Sequence, residues 1–198
     1  MSSVHSFAER PRTVVFALCG SFCTFASVMP QVQRLCAQGW RVLPVLSHSA
    51  ATVDTRFSPA ESWKSQLAAI TGQEPLQTLT QVEPLGPAHM ADAMVIAPCT
   101  GTTMGLLAAG ISSTAVTLAA KSMLRGGHPV VLAPSTNDGL SGSAAALAAL
   151  LQRKQYYFVP FGQDDSYKKP NSLKSDFTLL PDTLECALRG VQLQPLLL

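Results

Sequence analysis

Five short apolar segments rich in β-branched residues are spaced along the chain and predict buried β-strands. They comprise residues 13–18, 42–46, 93–97, 129–133 and 156–160. These segments lack the alternation of apolar and polar side chains that a strand with one solvent-facing side would show. Strands that are apolar on both faces are typical of a parallel sheet with helices on both sides.

Helical patterns occupy the intervals between these strands. Residues 25–38, 103–109, 114–124 and 143–153 have helical patterns, and Gly39 ends the first of these segments. A further helix is predicted to begin at Ser58, whose spacing to Glu61 is that of a capping box, with proline at the first helical position. Strands that alternate with helices predict a doubly wound α/β fold.

Residues 161–180 differ from the rest of the chain because they are polar and rich in turn-forming residues. A long polar loop in a compact domain is commonly functional, so we predict a functional loop here. Residues 1–12 have no strong periodicity, and we predict that they form a flexible tail. The whole chain, residues 1–198, is then one domain.

The composition supports one domain and excludes some partners. The chain has 198 residues, of which 47% are hydrophobic and 13% charged, with a net charge of +2. This length and hydrophobic content are enough for one substantial core. The basic residues are dispersed, so they do not form the charged surface that nucleic acids or anionic membranes require. No apolar run has the length of a signal peptide or a membrane span, so we expect a cytoplasmic protein. Low charge and alanine-rich helices favour a homo-oligomer, although a tightly packed monomer is also consistent with them.

The cysteines predict neither a disulfide framework nor a metal site. Their number is five and they show no paired CxxC spacing, so we expect free thiols and no bound metal. Cys99 precedes a predicted helix, whose dipole would favour a thiolate. The alternative, which we favour, is that Cys99 packs as a small apolar residue.

The turns that follow the predicted strands are where a parallel sheet binds its ligands. Four of them carry small or hydroxyl side chains: Gly20-Ser21, Ser47-His48-Ser49, Pro98 to Thr103, and Pro134 to Asp138. In the third turn, free amides at a helix N-terminus and the hydroxyls of Thr100, Thr102 and Thr103 would favour a phosphate, and Gly101 would allow close approach. Alternatively, these threonines only cap the helix.

Three of these turns resemble the ligand turns of the flavoprotein family that includes the homo-oligomeric flavin-containing cysteine decarboxylases. The resemblance lies in Gly20-Ser21, in Ala97-Pro98-Cys99-Thr100-Gly101-Thr102-Thr103 and in Ala133-Pro134-Ser135-Thr136-Asn137. It implies a three-layer, Rossmann-like fold of the flavodoxin type, with FMN bound between subunits of an oligomer. The FMN-binding residues that it implies are Gly20, Ser21, Ser47, Pro98, Thr100, Gly101, Thr102 and Thr103.

A more extensive similarity covers almost the whole chain and is to one branch of this family. It is carried by Glu83-Pro84-Leu85-Gly86-Pro87, by Ser135-Thr136-Asn137-Asp138 and by residues 158–165 and 169–173. This similarity implies a subunit that acts with a dehydrogenase subunit carrying NAD(P), in the mother cell of a sporulating bacterium. Together the two subunits would oxidise a dihydropyridine dicarboxylate to its aromatic product, and the resemblance leaves open which subunit accepts the hydride. The substrate-binding residues that it implies are Ser135, Thr136, Asn137, Lys169 and Asn171.

Two departures from the family pattern argue against cysteine decarboxylation. Those decarboxylases carry a catalytic histidine before the third strand, where this chain has Val82-Glu83-Pro84-Leu85, and a methionine where it has Thr136. Glu83 is either a general base or a solvated turn residue. Besides an oxidoreductase subunit, the sequence leaves open a non-catalytic scaffold subunit of the same complex and a flavin-dependent decarboxylase.

Overall fold

A five-stranded parallel sheet forms the centre of this computed structural model, which describes residues 11–198. Its order is β2 (Arg41–Leu46), β1 (Thr13–Leu18), β3 (Ala93–Cys99), β4 (Val130–Thr136) and β5 (Tyr156–Phe158). This 2-1-3-4-5 order is that of flavodoxin-like folds, which bind their ligands where the strand order reverses. Residues 1–10 of the predicted tail lie outside the described residues.

Helices cover both faces of the sheet. They are α1 (Phe25–Ala37), α2 (His48–Thr52), α3 (Ala60–Thr71), α4 (Leu79–Val82), α5 (Gly101–Ala108), α6 (Ala115–Arg125), α7 (Ala144–Leu151) and α8 (Leu180–Leu188), and 3-10 turns span Phe22–Thr24, Glu83–Leu85 and Phe177–Leu179. Alternate residues of β1 enter separate cores: Phe16 belongs to the core that α1, α3 and α8 cover, and Val15 belongs to the core that α5, α6 and α7 cover. Every residue of β1 and β3 is buried. The predicted three-layer α/β fold is confirmed.

Most of the segment predicted as a functional loop, residues 161–180, is an antiparallel ribbon that ends at residue 175. Its strands are β6 (Phe161–Asp165) and β7 (Lys169–Ser175), and β7 also pairs with the last two residues of β4 in antiparallel orientation. Phe161 and Leu173 join the core while most of the other residues are exposed. A ribbon with so few apolar positions resembles a loop in sequence, because only one of its sides packs on the protein. The ribbon extends the sheet beside the carboxyl end of β4.

The start of α3 differs from the predicted capping box at Ser58. Pro59 occupies the N-cap position and no side chain of the cap residue accepts a hydrogen bond there. The free amide of Ala60 instead donates to Asp54 Oδ1 at 2.8 Å. A carboxylate that precedes the helix thus satisfies its first donor and complements the helix dipole.

Arg12, which the sequence placed in the tail, packs on the folded domain. Its guanidinium lies 4.0 Å from the centre of the Trp40 ring and forms an ion pair with Glu185. Over the described range, 11–198, no helix combines the length and apolar character needed to cross a membrane.

Candidate functional site

A cleft of about 720 Å³ lies at the carboxyl ends of β1, β3 and β4. The turns after these strands contribute much of its wall, and the rest comes from the segment between α2 and α3 and from the β6–β7 ribbon. Its lining comprises Gly20, Ser21, Phe22, Cys23, Thr24, Arg56, Phe57, Thr100, Gly101, Thr102, Ser135, Thr136, Asn137, Asp138, Asp164, Lys169, Ser172, Leu173 and Lys174. A concave site of this size accommodates a cofactor-sized molecule.

The N-terminus of α5 opens on this cleft. Thr100 is the N-cap residue, and its hydroxyl oxygen accepts a hydrogen bond from the Thr103 amide at 3.3 Å. Thr102 is exposed in the first turn and lines the cleft. The remaining first-turn amides and the helix dipole favour an anionic group at this position.

Gly101 is required here because the neighbouring side chains leave no room for a β-carbon. A Cβ built on Gly101 would lie 2.3 Å from Ser143 Oγ, 2.8 Å from Thr136 Oγ1 and 2.9 Å from Asp138 Oδ1. The sequence predicted that this glycine allows a ligand to approach. In the structure the glycine allows the turn after β4 to pack against the start of α5.

Asp138 organises the turn after β4. Its Oδ1 accepts hydrogen bonds from Thr136 Oγ1 at 2.5 Å and from Ser143 Oγ at 2.8 Å. These two hydroxyl donors lower the pKa of Asp138 below its ordinary value of 3.8, so it is a carboxylate at neutral pH. Because Ser143 is the N-cap residue of α7, the network ties the turn to that helix. Asp138 was not among the predicted site residues, although its place in a strand-ending turn was a usable signal.

A pair of hydroxyls joins the turn after β1 to the carboxyl end of β4. Ser21 Oγ and Ser135 Oγ lie 2.8 Å apart, and Ser135 is buried. Gly20 lies beside them, and a Cβ on it would lie 2.6 Å from Ser49 Oγ. The turn after β1 is therefore packed against both the end of β4 and the start of α2.

Nine of the predicted cofactor and substrate residues line this cleft, and one of them is Lys169. The other eight are Gly20, Ser21, Thr100, Gly101, Thr102, Ser135, Thr136 and Asn137. The other predicted site residues do not line it: Ser47, Pro98, Thr103, Glu83 and Asn171.

The three cofactor-binding predictions outside the lining have structural roles. Ser47 is the N-cap of α2, and its hydroxyl accepts from the Ala50 amide at 3.2 Å. Pro98 is buried within β3. The buried Thr103 hydroxyl donates to Cys19 Sγ at 3.3 Å, so it faces the core and not the cleft.

Glu83 and Asn171 also lie away from the cleft. Glu83 is exposed in the 3-10 turn Glu83–Leu85, which packs against α6. Asn171 is exposed in β7, where its carbonyl accepts a hydrogen bond from the Leu140 amide at 3.0 Å. Within this chain, neither side chain lines the site.

The ribbon and the α2–α3 segment place charged side chains on the cleft. Lys169 Nζ lies 2.6 Å from Asp164 Oδ2, and Lys174 Nζ lies 3.7 Å from Asp164 Oδ1. The hydrogen bond from Lys169 lowers the pKa of Asp164. Arg56 and Phe57 line the same cleft. Of these five residues the sequence pointed only to Lys169, and it did so through the resemblance, because none of the five follows a strand of the parallel sheet.

The buried thiols are not reactive groups of the site. Burial raises the pKa of Cys19 to about 11 and the pKa of Cys99 well above its ordinary value. Cys99 is completely buried, as expected of a small apolar residue. All five cysteines are free thiols. Among residues 11–198, no three His, Cys, Asp or Glu side chains cluster as a metal site would require.

The chain is similar in sequence and in fold to known proteins. Residues 2–152 match the family model described as Flavoprotein. The chain is 42% identical over 186 residues to the B subunit of dipicolinate synthase from Bacillus subtilis, a match that covers 94% of this chain and 93% of that protein. It superposes on the crystal structure of the dipicolinate synthase B subunit from Bacillus halodurans with a TM-score of 0.87 and 41% identity, covering 94% and 96% of the two chains.

A more distant solved structure has the same fold. It is a dodecameric FMN-dependent UbiX-like decarboxylase from Escherichia coli O157:H7, with a TM-score of 0.60 and 21% identity. The match covers 75% of this chain and 79% of that one. At this identity, the likeness extends to the fold alone.

Proposed function

Because this chain belongs to the Flavoprotein family, we propose that its cleft binds FMN and that it acts as the B subunit of a dipicolinate synthase. The observation that carries the proposal is that three of the four ligand turns predicted from sequence line one cleft. Identity of 42% to a dipicolinate synthase subunit over nearly the whole chain supports the choice of reaction.

The residues present fit a flavin mononucleotide. The cleft, at about 720 Å³, lies within the range of cofactor sites, and its walls combine hydroxyls with an aromatic ring. We assign the phosphate and ribityl hydroxyls to the first turn of α5, with Thr100 and Thr102, and to Gly20 and Ser21. When bound, FMN would supply a redox-active ring able to exchange a hydride with a substrate.

The reaction that we propose is the aromatisation of a dihydrodipicolinate-level precursor. Formation of the pyridine ring removes two electrons and two protons, which corresponds to one hydride and one proton. The hydride acceptor is either the flavin or the NAD(P) of a dehydrogenase partner subunit. This chain's own contribution is to bind and orient the flat dicarboxylate, and the Asn137 amide is suited to donate to a carboxylate oxygen.

Asp138 supports that contribution by holding the turn in place. Its hydrogen bonds to Thr136 and Ser143 fix the backbone on both sides of Asn137. We therefore assign Asp138 a positioning role. Its lowered pKa makes it a poor proton acceptor at neutral pH.

The first test is whether the purified protein binds FMN through α5. Thr102→Val removes a cleft hydroxyl, and we expect it to weaken FMN affinity about 5- to 10-fold, the value of one hydrogen bond. Thr80→Val is the matched control, because Thr80 is an exposed helical threonine that does not line the cleft. Flavin fluorescence titration measures both. Equal affinities for the two variants would contradict the assignment.

A second candidate function is a non-catalytic scaffold for the dehydrogenase. It is favoured by the position of Glu83, which is exposed and does not line the cleft. Colourless protein that does not bind added FMN but stimulates the dehydrogenase would support the scaffold. Yellow protein whose flavin is required for dipicolinate formation by the pair would support the enzyme subunit.

We further propose a homo-oligomer that acts in the cytoplasm of the sporulating mother cell. The low charge and small-residue helices support self-association. Light scattering coupled to size-exclusion chromatography measures the oligomer, and a monomer at micromolar concentration would contradict this part of the proposal.

A further inference from the structure

We propose that Arg56 binds an oxyanion in the cleft, either a carboxylate of the substrate or the phosphate of FMN. This inference rests on the proposed function for the identity of the ligand. No sequence pattern indicated Arg56, because it lies in an irregular segment between α2 and α3. In the structure it lies on the cleft with the strand-ending turns.

The segment that carries Arg56 is held by its own hydrogen bonds. Thr55 donates through its amide and its hydroxyl to the Ser58 carbonyl, at 3.2 and 3.3 Å, and the Phe57 amide donates to Thr55 Oγ1 at 3.2 Å. Asp54 anchors the segment to α3 through the Ala60 amide. The loop thus has a defined shape, which lowers the entropic cost of presenting its side chains to a ligand.

Phe57 orients the guanidinium group. The Arg56 Cζ lies 5.0 Å from the centre of the Phe57 ring, within the range of a cation–π interaction. Both residues line the cleft. Stacking on a ring occupies one face of the guanidinium and leaves its N–H edge available to a planar oxyanion.

Arg56 differs from the other two cations of the cleft, Lys169 and Lys174, in its acidic partners. Lys169 and Lys174 both contact the carboxylate of Asp164, so their charge is partly neutralised. Within residues 11–198, Arg56 makes no ion pair with an acidic side chain. An anion that enters the cleft therefore meets an arginine that need not break an existing ion pair in order to bind it.

Isothermal titration calorimetry tests the assignment with three probes: FMN, riboflavin and pyridine-2,6-dicarboxylate. Arg56→Met removes the charge, and Arg56→Lys keeps the charge but removes the planar set of donors. Arg125→Met is the matched control, because Arg125 is an exposed arginine on α6 that does not line the cleft. We expect Arg56→Met to weaken binding of the cognate anion about 10- to 100-fold, with Arg56→Lys intermediate and Arg125→Met unchanged.

The pattern across probes identifies the source of the oxyanion. Weaker binding of FMN with unchanged binding of riboflavin assigns the phosphate, and weaker binding of the dicarboxylate alone assigns the substrate. Binding of all three probes by Arg56→Met with the affinity of the wild type would overturn the inference, as would a wild type that binds neither anion. A wild type that binds the dicarboxylate through Arg56 but lacks flavin and activity would retain this site and refute the proposed redox function.

Discussion

Replacement of Gly101 by alanine tests whether the close packing around the start of α5 is essential. The new Cβ would lie 2.3 Å from Ser143 Oγ, and the Thr136 and Asp138 oxygens would lie within 3 Å of it. These atoms form one hydrogen-bond network, so Ser143 cannot rotate away without releasing the Asp138 carboxylate. The substitution therefore costs both steric strain and a charge-assisted hydrogen bond.

Gly105 provides an internal control four residues later in the same helix. A Cβ on Gly105 would meet no atom within 4 Å. Gly105→Ala should stabilise the helix by up to about 1 kcal/mol through propensity alone. Overpacking costs about 1–3 kcal/mol, and a lost hydrogen bond to a charged group costs about 1.5–3 kcal/mol. Allowing for partial relaxation, we expect Gly101→Ala to be less stable than Gly105→Ala by about 2–4 kcal/mol.

Urea denaturation monitored by circular dichroism measures this difference, and a flavin titration of the same samples measures its effect on the cleft. We expect Gly101→Ala to lose FMN affinity because the turn after β4 moves, whereas Gly105→Ala retains it. If Gly101→Ala proved as stable as Gly105→Ala, the Ser143–Asp138 contact would not restrict the position, and the structural reason given for this glycine would be wrong.

Three further predictions concern other parts of the site and its support. Because the pKa of Asp138 is lowered on folding, its stabilising contribution is present at neutral pH and is lost as the pH falls below about 4. The difference in the free energy of unfolding between wild type and Asp138→Asn should therefore become smaller as the pH is lowered. Arg153→Met should lower stability by about 1–2 kcal/mol in urea denaturation, because the guanidinium donates to the last carbonyls of α5. With Ellman's reagent at about pH 8, exposed Cys23 should react in the native protein, whereas Cys19, with a pKa of about 11, should react only after unfolding.

The parallel core was predictable because its strands are apolar on both faces. β1 and β3 are completely buried, and continuous apolar runs of that kind have few alternative structures. The β6–β7 ribbon was not predicted, since only Phe161 and Leu173 of its apolar residues are needed to pack it. Helix α2 has five residues, too few to establish a period in the sequence.

The site was predictable as far as topology determines it. The carboxyl ends of β1, β3 and β4 are neighbours in the sheet, so the turns that follow them meet. Which side chains in those turns face the cleft depends on the first helical turn, and there Thr102 and Thr103 diverge: Thr102 is exposed and Thr103 is buried against Cys19. Periodicity does not distinguish two adjacent threonines at a helix start.

Residues that line the cleft but lie outside the strand-ending turns had no comparable signal in the sequence pattern. Arg56 lies in an irregular segment, and Asp164 lies in a ribbon whose path depends on its pairing with the end of β4. Glu83 was predicted as either a general base or a solvated turn residue, and in this chain it is exposed in a 3-10 turn that packs against α6. Such positions follow from tertiary packing and not from local sequence pattern.

The acidic side chains of the cleft have partners within the protein that stabilise their negative charge, which limits their repulsion of an anionic ligand. Asp138 is hydrogen-bonded by two hydroxyls, and Asp164 is contacted by two lysines. A phosphate or carboxylate in the cleft is then attracted by the partial positive charge of the α5 amides and by the positive charge of Arg56. Removing one of the two lysines beside Asp164 should therefore weaken anion binding even where no ligand contact is lost. Lys174→Met leaves Asp164 with one cation, and we expect the affinity for the dicarboxylate, measured by calorimetry, to fall. The affinity for riboflavin, which reports on contacts to the flavin ring, should stay unchanged.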